Sequence, residues 1–542
     1  MRPELSTISS IRPNTPNEPR TSVRAVPRTR ETQNNTSRVP KPNPRHTGMG
    51  IGSRVLALAV AAAIIPSASS IAQPTIPAHP NQIVYPELNY QLPPASTFRE
   101  VLSSGMVVYI AEDRVLPTFD MSVTIRTGSA LDPAGKEGLA SLVGEQLRDG
   151  GTRSLSPEEL DERVDFLAAS LSSRIGDTSG SARVGLLSKD LDEGLALLVE
   201  ILRHPRFDAD RLRLSKERQI QNIKRRNDST TSIERTEWGF LMYGEDHFSN
   251  RYTSSASIEA ITRGDMAAFH QKYYHPGNMI IAVSGDFDRA DMLEKLETAF
   301  ADWPTGELGP KTFAAPTTTP KPGVYLLHKE DVNQGRVSMG HQGVLRGSPD
   351  EFALQVMNGI LGASGFTSRL VAKVRSDEGL AYSVGSSFGQ GVYYPGSFRC
   401  FFQSKSNSCA YAAQLVLNEI NRIRTELPSQ KDVDDTVNYV VESFPQRFSS
   451  KMALLGTYAR DEYTGRDPNY WQTYVDGLKA VTRDDVLRVA KKYLHPDQLV
   501  LLAVGDATTI RAGGHDKDPD LTLDKFGKVI QLPLRDPDTR KR

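Results

Sequence analysis

The sequence predicts a duplicated α+β fold, each half a largely antiparallel sheet with helices packed on one face. Three observations predict it. The first is a motif that recurs at one fixed offset. Thr262-Arg263, Asp265, Lys272-Tyr273, His275-Pro276 and Gly285-Asp286 reappear 220 positions later as Thr482-Arg483, Asp485, Lys492-Tyr493, His495-Pro496 and Gly505-Asp506. A single pair of copies so far apart is a repeated domain, because solenoid periods run about 20 to 50 residues. The second is that strand and helix patterns mix without the regular βαβ alternation of a parallel sheet. The third is residues 304–322, where Pro304, Pro310, Pro316, Pro320 and Pro322 accompany Gly306 and Gly309 without apolar periodicity, as in a linker.

In chain order, residues 1–48 are rich in Pro, Asn, Thr and Arg, and read as disordered or as translated sequence upstream of a start at Met49. Arg54, the apolar run from Val55 to Ile65, Pro66 and the small residues Ser70-Ile71-Ala72 then form a secretory signal peptide cleaved near Ala72. The apolar run is shorter than the ~20 residues that span a bilayer, so no stable membrane span is expected after cleavage. The leader and signal occupy 1–72 and a short extension 73–94, which places the mature chain in a bacterial periplasm. A first domain, 95–303, opens on the alternating strand Phe119, Met121, Val123 and Ile125. A helix follows with Leu139, Leu142, Val143 and Leu147 on one face, and further helical patterns cover Asp190 to Leu202 and Asp210 to Arg226. The second domain, 323–510, repeats the order: a strand around Arg336 to His341, a turn at Gly347 to Pro349, and a helix from Phe352 to Leu361. Strands at Gly379 to Phe388 and Ser397 to Gln403 come next, and 511–542 is a charged, Pro-containing tail.

Composition narrows the chemistry. Of 542 residues, 38% are hydrophobic and 24% charged, which is an ordinary globular balance. Lys+Arg and Asp+Glu both number 65, and no basic patch is dense enough for a grip on nucleic acid. Two cysteines exclude multi-cysteine zinc and iron–sulfur sites, so metal chemistry would have to rest on His and carboxylates. Whether Cys400 and Cys409 form a disulfide or remain two thiols is open at this stage. No two of the ten histidines stand four apart, and neither His-x-x-Glu-His nor His-Glu-x-x-His occurs, so no metal site is expected in this chain. Gly385-Ser386-Ser387-Phe388-Gly389 satisfies Gly-x-Ser-x-Gly, but it falls in a hairpin rather than the strand–turn–helix of a nucleophile elbow.

Over residues 95–510 the sequence resembles the pitrilysin/insulinase family of zinc metallopeptidases, the inverzincins, in their short two-domain form. The resemblance rests on Gly128-Ser129, Asp132-Pro133, Gly138-Leu139-Ala140, the two His-Pro strand entries and above all Arg375-Ser-Asp-Glu-Gly379-Leu380-Ala381-Tyr382. It implies two α+β halves closing like a clam-shell around a chamber, with peptide held as an extended strand along a sheet edge. In the family, His-x-x-Glu-His on a helix supplies two zinc ligands and the general base, and a downstream Glu is the third ligand. Here the matching helix has Ser141 and Glu145 at the His positions and Gly144 at the base position. The downstream position falls in 221–224, where Lys224 is a candidate to pair with Glu145 in place of the metal. Gly144 costs a helix roughly 1 kcal/mol relative to Ala, so something other than propensity must account for it.

Arg375 and Tyr382 match the family's pair of donors, which hold a substrate carbonyl and stabilise the developing oxyanion. Donors without a zinc motif imply one subunit of a heteromeric periplasmic metallopeptidase. A homologous zinc-bearing subunit would bring the metal and base, this chain would carry no cofactor, and peptides or unfolded proteins would be the substrate. The alternative is a non-enzymatic structural, assembly or peptide-binding member of the same family.

Overall fold

The computed structural model describes His79, residues 90–304 and residues 306–542. The leader and signal expected over 1–72 lie outside the described residues. The first half contributes strands β1 (Arg99–Val101), β2 (Val107–Glu112), β3 (Thr118–Ile125), β4 (Ser170–Ile175), β5 (Gly180–Leu187) and β6 (Met279–Gly285). Its helices are α1 (Leu139–Asp149), α2 (Pro157–Phe166), α3 (Leu191–Arg203) and α4 (Ala209–Lys224), then α5 (Thr230–Tyr243), α6 (Ser255–Ala260), α7 (Arg263–Tyr273) and α8 (Arg289–Ala299). The second half contributes β7 (Gly323–His328), β8 (Gln334–Gln342), β10 (Ala381–Phe388), β12 (Ser397–Lys405), β13 (Val500–Gly505) and β14 (Val529–Leu532), with a two-residue pair β9 (Val344–Leu345) and β11 (Gln390–Gly391). Its helices are α9 (Glu351–Asn358), α10 (Cys409–Thr425), α11 (Gln430–Ser443), α12 (Lys451–Thr464), α13 (Tyr470–Lys479), α14 (Arg483–Tyr493) and α15 (Ala507–Ala512).

Five strands repeat in the same order, β2-β6-β3-β5-β4 and β7-β13-β8-β12-β10, which is the duplication expressed in topology; the sixth differs, β1 lying antiparallel beside β2 and the C-terminal β14 parallel beside β7. The recurring motif is structural throughout. Thr262 and Thr482 each close a capping box on the Asp three residues on, starting α7 and α14. His275-Pro276 and His495-Pro496 lead through single 3₁₀ turns into the central strands β6 and β13. Gly285 ends β6 because a Cβ there would lie 2.4 Å from the Thr118 carbonyl oxygen.

The expected helical layer is present on each sheet, and the opposite face is covered as well. In β2 and β6, Val108, Ile110, Ile281 and Val283 join the core under the first half's own helices. Their neighbours Tyr109, Ala111, Ile280 and Ala282 turn the other way, into a core shared with Leu454, Leu455, Tyr458 and Ala459 of α12. The second sheet is treated reciprocally: Tyr325, Leu327, Val500, Leu502 and Val504 pack on Ile233, Trp238 and Met242 of α5. Each half therefore lends one helix to the other's sheet. Full burial of one such aliphatic side chain is worth about 1.5–3 kcal/mol, so the exchange carries much of the contact between halves.

Charged groups fix the exchanged helices. Glu462 of α12 takes two bonds from the Arg99 guanidinium (2.8 and 2.7 Å) and one from the Tyr109 hydroxyl (2.6 Å). Glu234 of α5, 2% exposed, takes two from Arg399 (2.6 and 2.7 Å) and one from the Ser338 hydroxyl. The segment 511–542, set apart as a tail by composition, completes the second sheet: β14 runs parallel beside β7, and Arg535 pairs with the buried Glu237 of α5 (2.9 Å). Cys400 and Cys409 are free buried thiols, not a disulfide, and burial pushes both up, Cys409 to about 12. Cys400 sits in β12 within the core and Cys409 opens α10, so both serve as small apolar side chains.

Asp350 ties α9 to α14, accepting from Arg488 (2.7 Å), Lys492 (2.9 Å) and Tyr493 (2.7 Å). Burial alone would raise its carboxyl, but the three donors outweigh that and hold it at about 2. Its folded value lies below the unfolded one of 3.8, so its stabilisation is complete above that pH and is lost as pH falls toward 2. Thermal melts should therefore show Asp350→Asn less stable than the parent by about 1–2 kcal/mol at neutral pH, with the gap closing near pH 2; a gap independent of pH would refute the assignment. For Glu234→Ala, which strands Arg399 in a buried site, urea titration should read a loss of about 3–5 kcal/mol, and Glu234→Leu combined with Arg399→Leu should cost less than the single change.

Candidate functional site

Helix α1 carries the positions that match the zinc motif. Asp132 fixes its start, accepting from the backbone N–H groups of Gly138 and Ala140 (both 2.8 Å). Burial pushes the Asp132 carboxyl up to about 6 while those amides pull the other way. Leu142, Val143 and Leu147 are fully buried on the core side. Ser141 and Glu145, one turn apart, line a pocket of about 470 Å³ together with Ser172, Ser173 and Arg174 of the edge strand β4.

Gly144 lies where that edge strand touches α1. A Cβ on residue 144 would stand 2.4 Å from the Ile175 nitrogen and 2.7 Å from the Arg174 carbonyl carbon. Both are backbone atoms of a paired strand, so neither can swing aside. This close approach accounts for a glycine in mid-helix, and it leaves no room for the side chain of a general base.

Glu145 is held by α4, but not at the expected residue. Its carboxylate pairs with the Arg218 guanidinium and accepts from the Ser215 hydroxyl (2.6 Å), which in turn accepts from the Gln146 side-chain amide (2.9 Å). Lys224 is exposed in the last turn of α4 and makes no ion pair among the described residues, so the expected Glu145–Lys224 pair does not form. α4 crosses α1 about two turns earlier than the alignment places it, because seventy intervening residues of changed sequence leave the helix register undetermined. Zinc does not fit these residues. Ser141 and Gly144 offer no ligand of the required kind, and Arg218 already neutralises the one carboxylate and would repel a cation placed beside it. Among the described residues no three His, Cys, Asp or Glu side chains converge elsewhere.

Arg375 sits in a π-helical turn, Val371–Asp377, and Tyr382 is the second residue of β10. Between them Gly379 takes φ +63°, and Glu378 anchors the string through Lys373 (3.2 Å) and Lys517. Strand pairing shifts register between Ala381 and Val384, which frees Tyr382 from the ladder. The structure brings the two expected residues together: the Arg375 guanidinium carbon lies 4.6 Å from the centre of the Tyr382 ring. The same carbon lies 4.7 Å from the centre of the Phe366 ring, a residue for which the sequence carries no functional signal. Tyr382 is 85% exposed and Phe366 72%. Neither the guanidinium nor the phenol has a hydrogen-bond acceptor among the described residues, so both remain available to a carbonyl or oxyanion. Ser386, of the Gly-x-Ser-x-Gly string, is buried in β10 and donates to the Asn358 side chain (2.7 Å), a structural use.

The sealed base position makes a direct forecast. Rebuilding the motif as Ser141→His, Gly144→Glu and Glu145→His should yield a chain that takes up no stoichiometric zinc by elemental analysis. One zinc per chain in that variant would refute the steric account.

Residues 260–440 match the family model described as the peptidase M16 inactive domain. The chain is 23% identical over 423 residues to a non-peptidase homologue, YmxG, of Helicobacter pylori, covering 76% of this chain and 94% of that one. It is 22% identical over 444 residues to the β subunit of the mitochondrial-processing peptidase of Blastocladiella emersonii, covering 78% and 90%. Among solved structures, an M16 peptidase inactive domain from Pseudomonas fluorescens superposes with a TM-score of 0.67 at 25% identity, over 75% of this chain and 97% of that one. With its fold duplicated, its base position closed by β4 and its one remaining carboxylate neutralised, the chain is similar to M16 peptidase family members, and residues 260–440 match that family's inactive domain.

Proposed function

We propose that this chain is the non-zinc subunit of a periplasmic heteromeric metallopeptidase that degrades peptides or unfolded proteins. The observation that carries this is a contrast within one molecule: the zinc position is closed, while half-buried Arg375 and exposed Tyr382 keep unpartnered donors. A guanidinium 4.6 Å from a phenol ring sets two kinds of donor side by side, suited to hold a peptide carbonyl and the charge that develops on its oxygen. A homologous subunit carrying His-x-x-Glu-His would supply zinc and the general base, so that the site is complete only in the pair. Similarity to a named subunit of a processing peptidase supports a role in an assembly, and the signal-peptide pattern expected over residues 54–72 supports the periplasm. A second reading, a non-enzymatic binding or assembly protein, draws support from the name of the Helicobacter pylori relative. It leaves the outward display of Arg375 and Tyr382 without a use.

Each subunit purified alone should be nearly inactive on an unfolded protein substrate, because residues acting together lose their effect together. Co-purified with its zinc-bearing homologue, the complex should cleave. Arg375→Ala or Tyr382→Phe should then lower kcat/KM by about 10²–10³. A complex that cleaves equally well with both substitutions would leave the non-enzymatic reading standing.

A further inference from the structure

A cleft of about 700 Å³ lies between the halves, floored by β3, β5 and β4 and roofed by α12 with Tyr393. Its floor is the face of the first sheet that α12 leaves uncovered. Strand register sets the side chains there in rows: Ser122, Arg183 and Ser172 form one, and Thr124, Ser181 and Arg174 the next. Arg460 of α12 lines the same cleft from above. No carboxylate lines it; Asp120 stands one row further along the floor, and Asp177, in the β4–β5 turn, points to the Ser129 hydroxyl.

Arg174, Arg183 and Arg460 make no ion pair or side-chain hydrogen bond among the described residues. The hydroxyls of Ser122, Thr124 and Ser181 are equally uncommitted. Three unpaired guanidiniums facing one partly enclosed space lower the energy of anions there, and low-dielectric walls strengthen the effect. We propose that this cleft binds acidic segments of extended peptides, with the three arginines holding Asp or Glu side chains and the hydroxyls holding backbone groups. Arg174 is shared with the pocket over Ser141 and Glu145, so a bound chain can run from the cleft across the edge strand. A peptide suits the site better than a nucleic acid. The floor is strand and hydroxyl, and Tyr463, one of two tyrosines lining the cleft, already has the Arg126 guanidinium 4.5 Å from its ring centre, in competition with a stacked base. The inference names the peptide class for the function proposed above and rests on that reading. It is tested by binding to this chain alone, so an inactive complex would leave it unaffected.

The test is fluorescence anisotropy on the full mature chain with labelled synthetic peptides of equal length, Glu/Asp-rich, Lys/Arg-rich or uncharged, and a single-stranded oligodeoxythymidine. The acidic peptide should bind tightest, and added salt should weaken it. Arg174→Gln, Arg183→Gln and Arg460→Gln should each weaken binding about three- to fivefold with an unchanged melting temperature. Arg183→Glu combined with Arg460→Glu should reverse the preference toward the basic peptide. Equal affinity for acidic and basic peptides, arginine variants that bind as the parent does, or tighter binding of the oligonucleotide would overturn the proposal.

Discussion

Strands β6 and β13 bury every residue, and the helices of their own half cover only one of their two faces. The other face must be taken from water by a partner, and in this chain the partner is the other half. α12 lies on the first sheet and α5 on the second, so the hydrophobic effect that forms each half also joins the two. Three further features follow from that constraint. The acidic residues of the exchanged helices, Glu462, Glu234 and Glu237, are paired with guanidiniums, because an unpaired charge beside a buried sheet is costly. The C-terminal segment is drawn onto α5 through Arg535. The part of the first sheet beyond the reach of α12 stays open as the cleft between the halves.

The closed zinc position is a matter of geometry as much as of residue identity. Loss of two histidines and a glutamate can be read from the letters alone. That β4 has settled onto α1 at Gly144 cannot, because a glycine in a helix has many causes and the one acting here is the backbone of a strand thirty residues away. Glu145 gives the same lesson from the other side. Its partner is set by how α4 lies on α1, a packing angle decided by side chains along both helices, and counting residues from the motif reached Lys224 instead of Arg218.

Much of the fold was legible because it was written twice. Thr262 with Asp265 and Thr482 with Asp485 mark two equivalent helix starts, His275-Pro276 and His495-Pro496 mark the entries to two central strands, and the prolines of 304–322 mark the passage between copies. The helical stretches around 191–203 and 209–224 followed from periodicity, since each helix keeps one face in the core. What escaped was long-range. Nothing in α5 or α12 says which sheet its apolar stripe will cover, because the stripe fits either. The strand at 529–532 was hidden in a charged segment, being too short to show an alternation. Phe366 escaped because nothing local in the sequence says that Arg375 will lie over its ring.

The exchange of helices also orders events during synthesis. When β6 has been made, the first sheet holds all six of its strands, yet Tyr109, Ala111, Ile280 and Ala282 still lack their cover. Residues 451–464 emerge from the ribosome only after most of the second half, so the earlier half must wait with an oily surface exposed. A first half that is finished before residues 451–464 arrive carries an exposed apolar face, the kind of surface that promotes aggregation of partly folded chains.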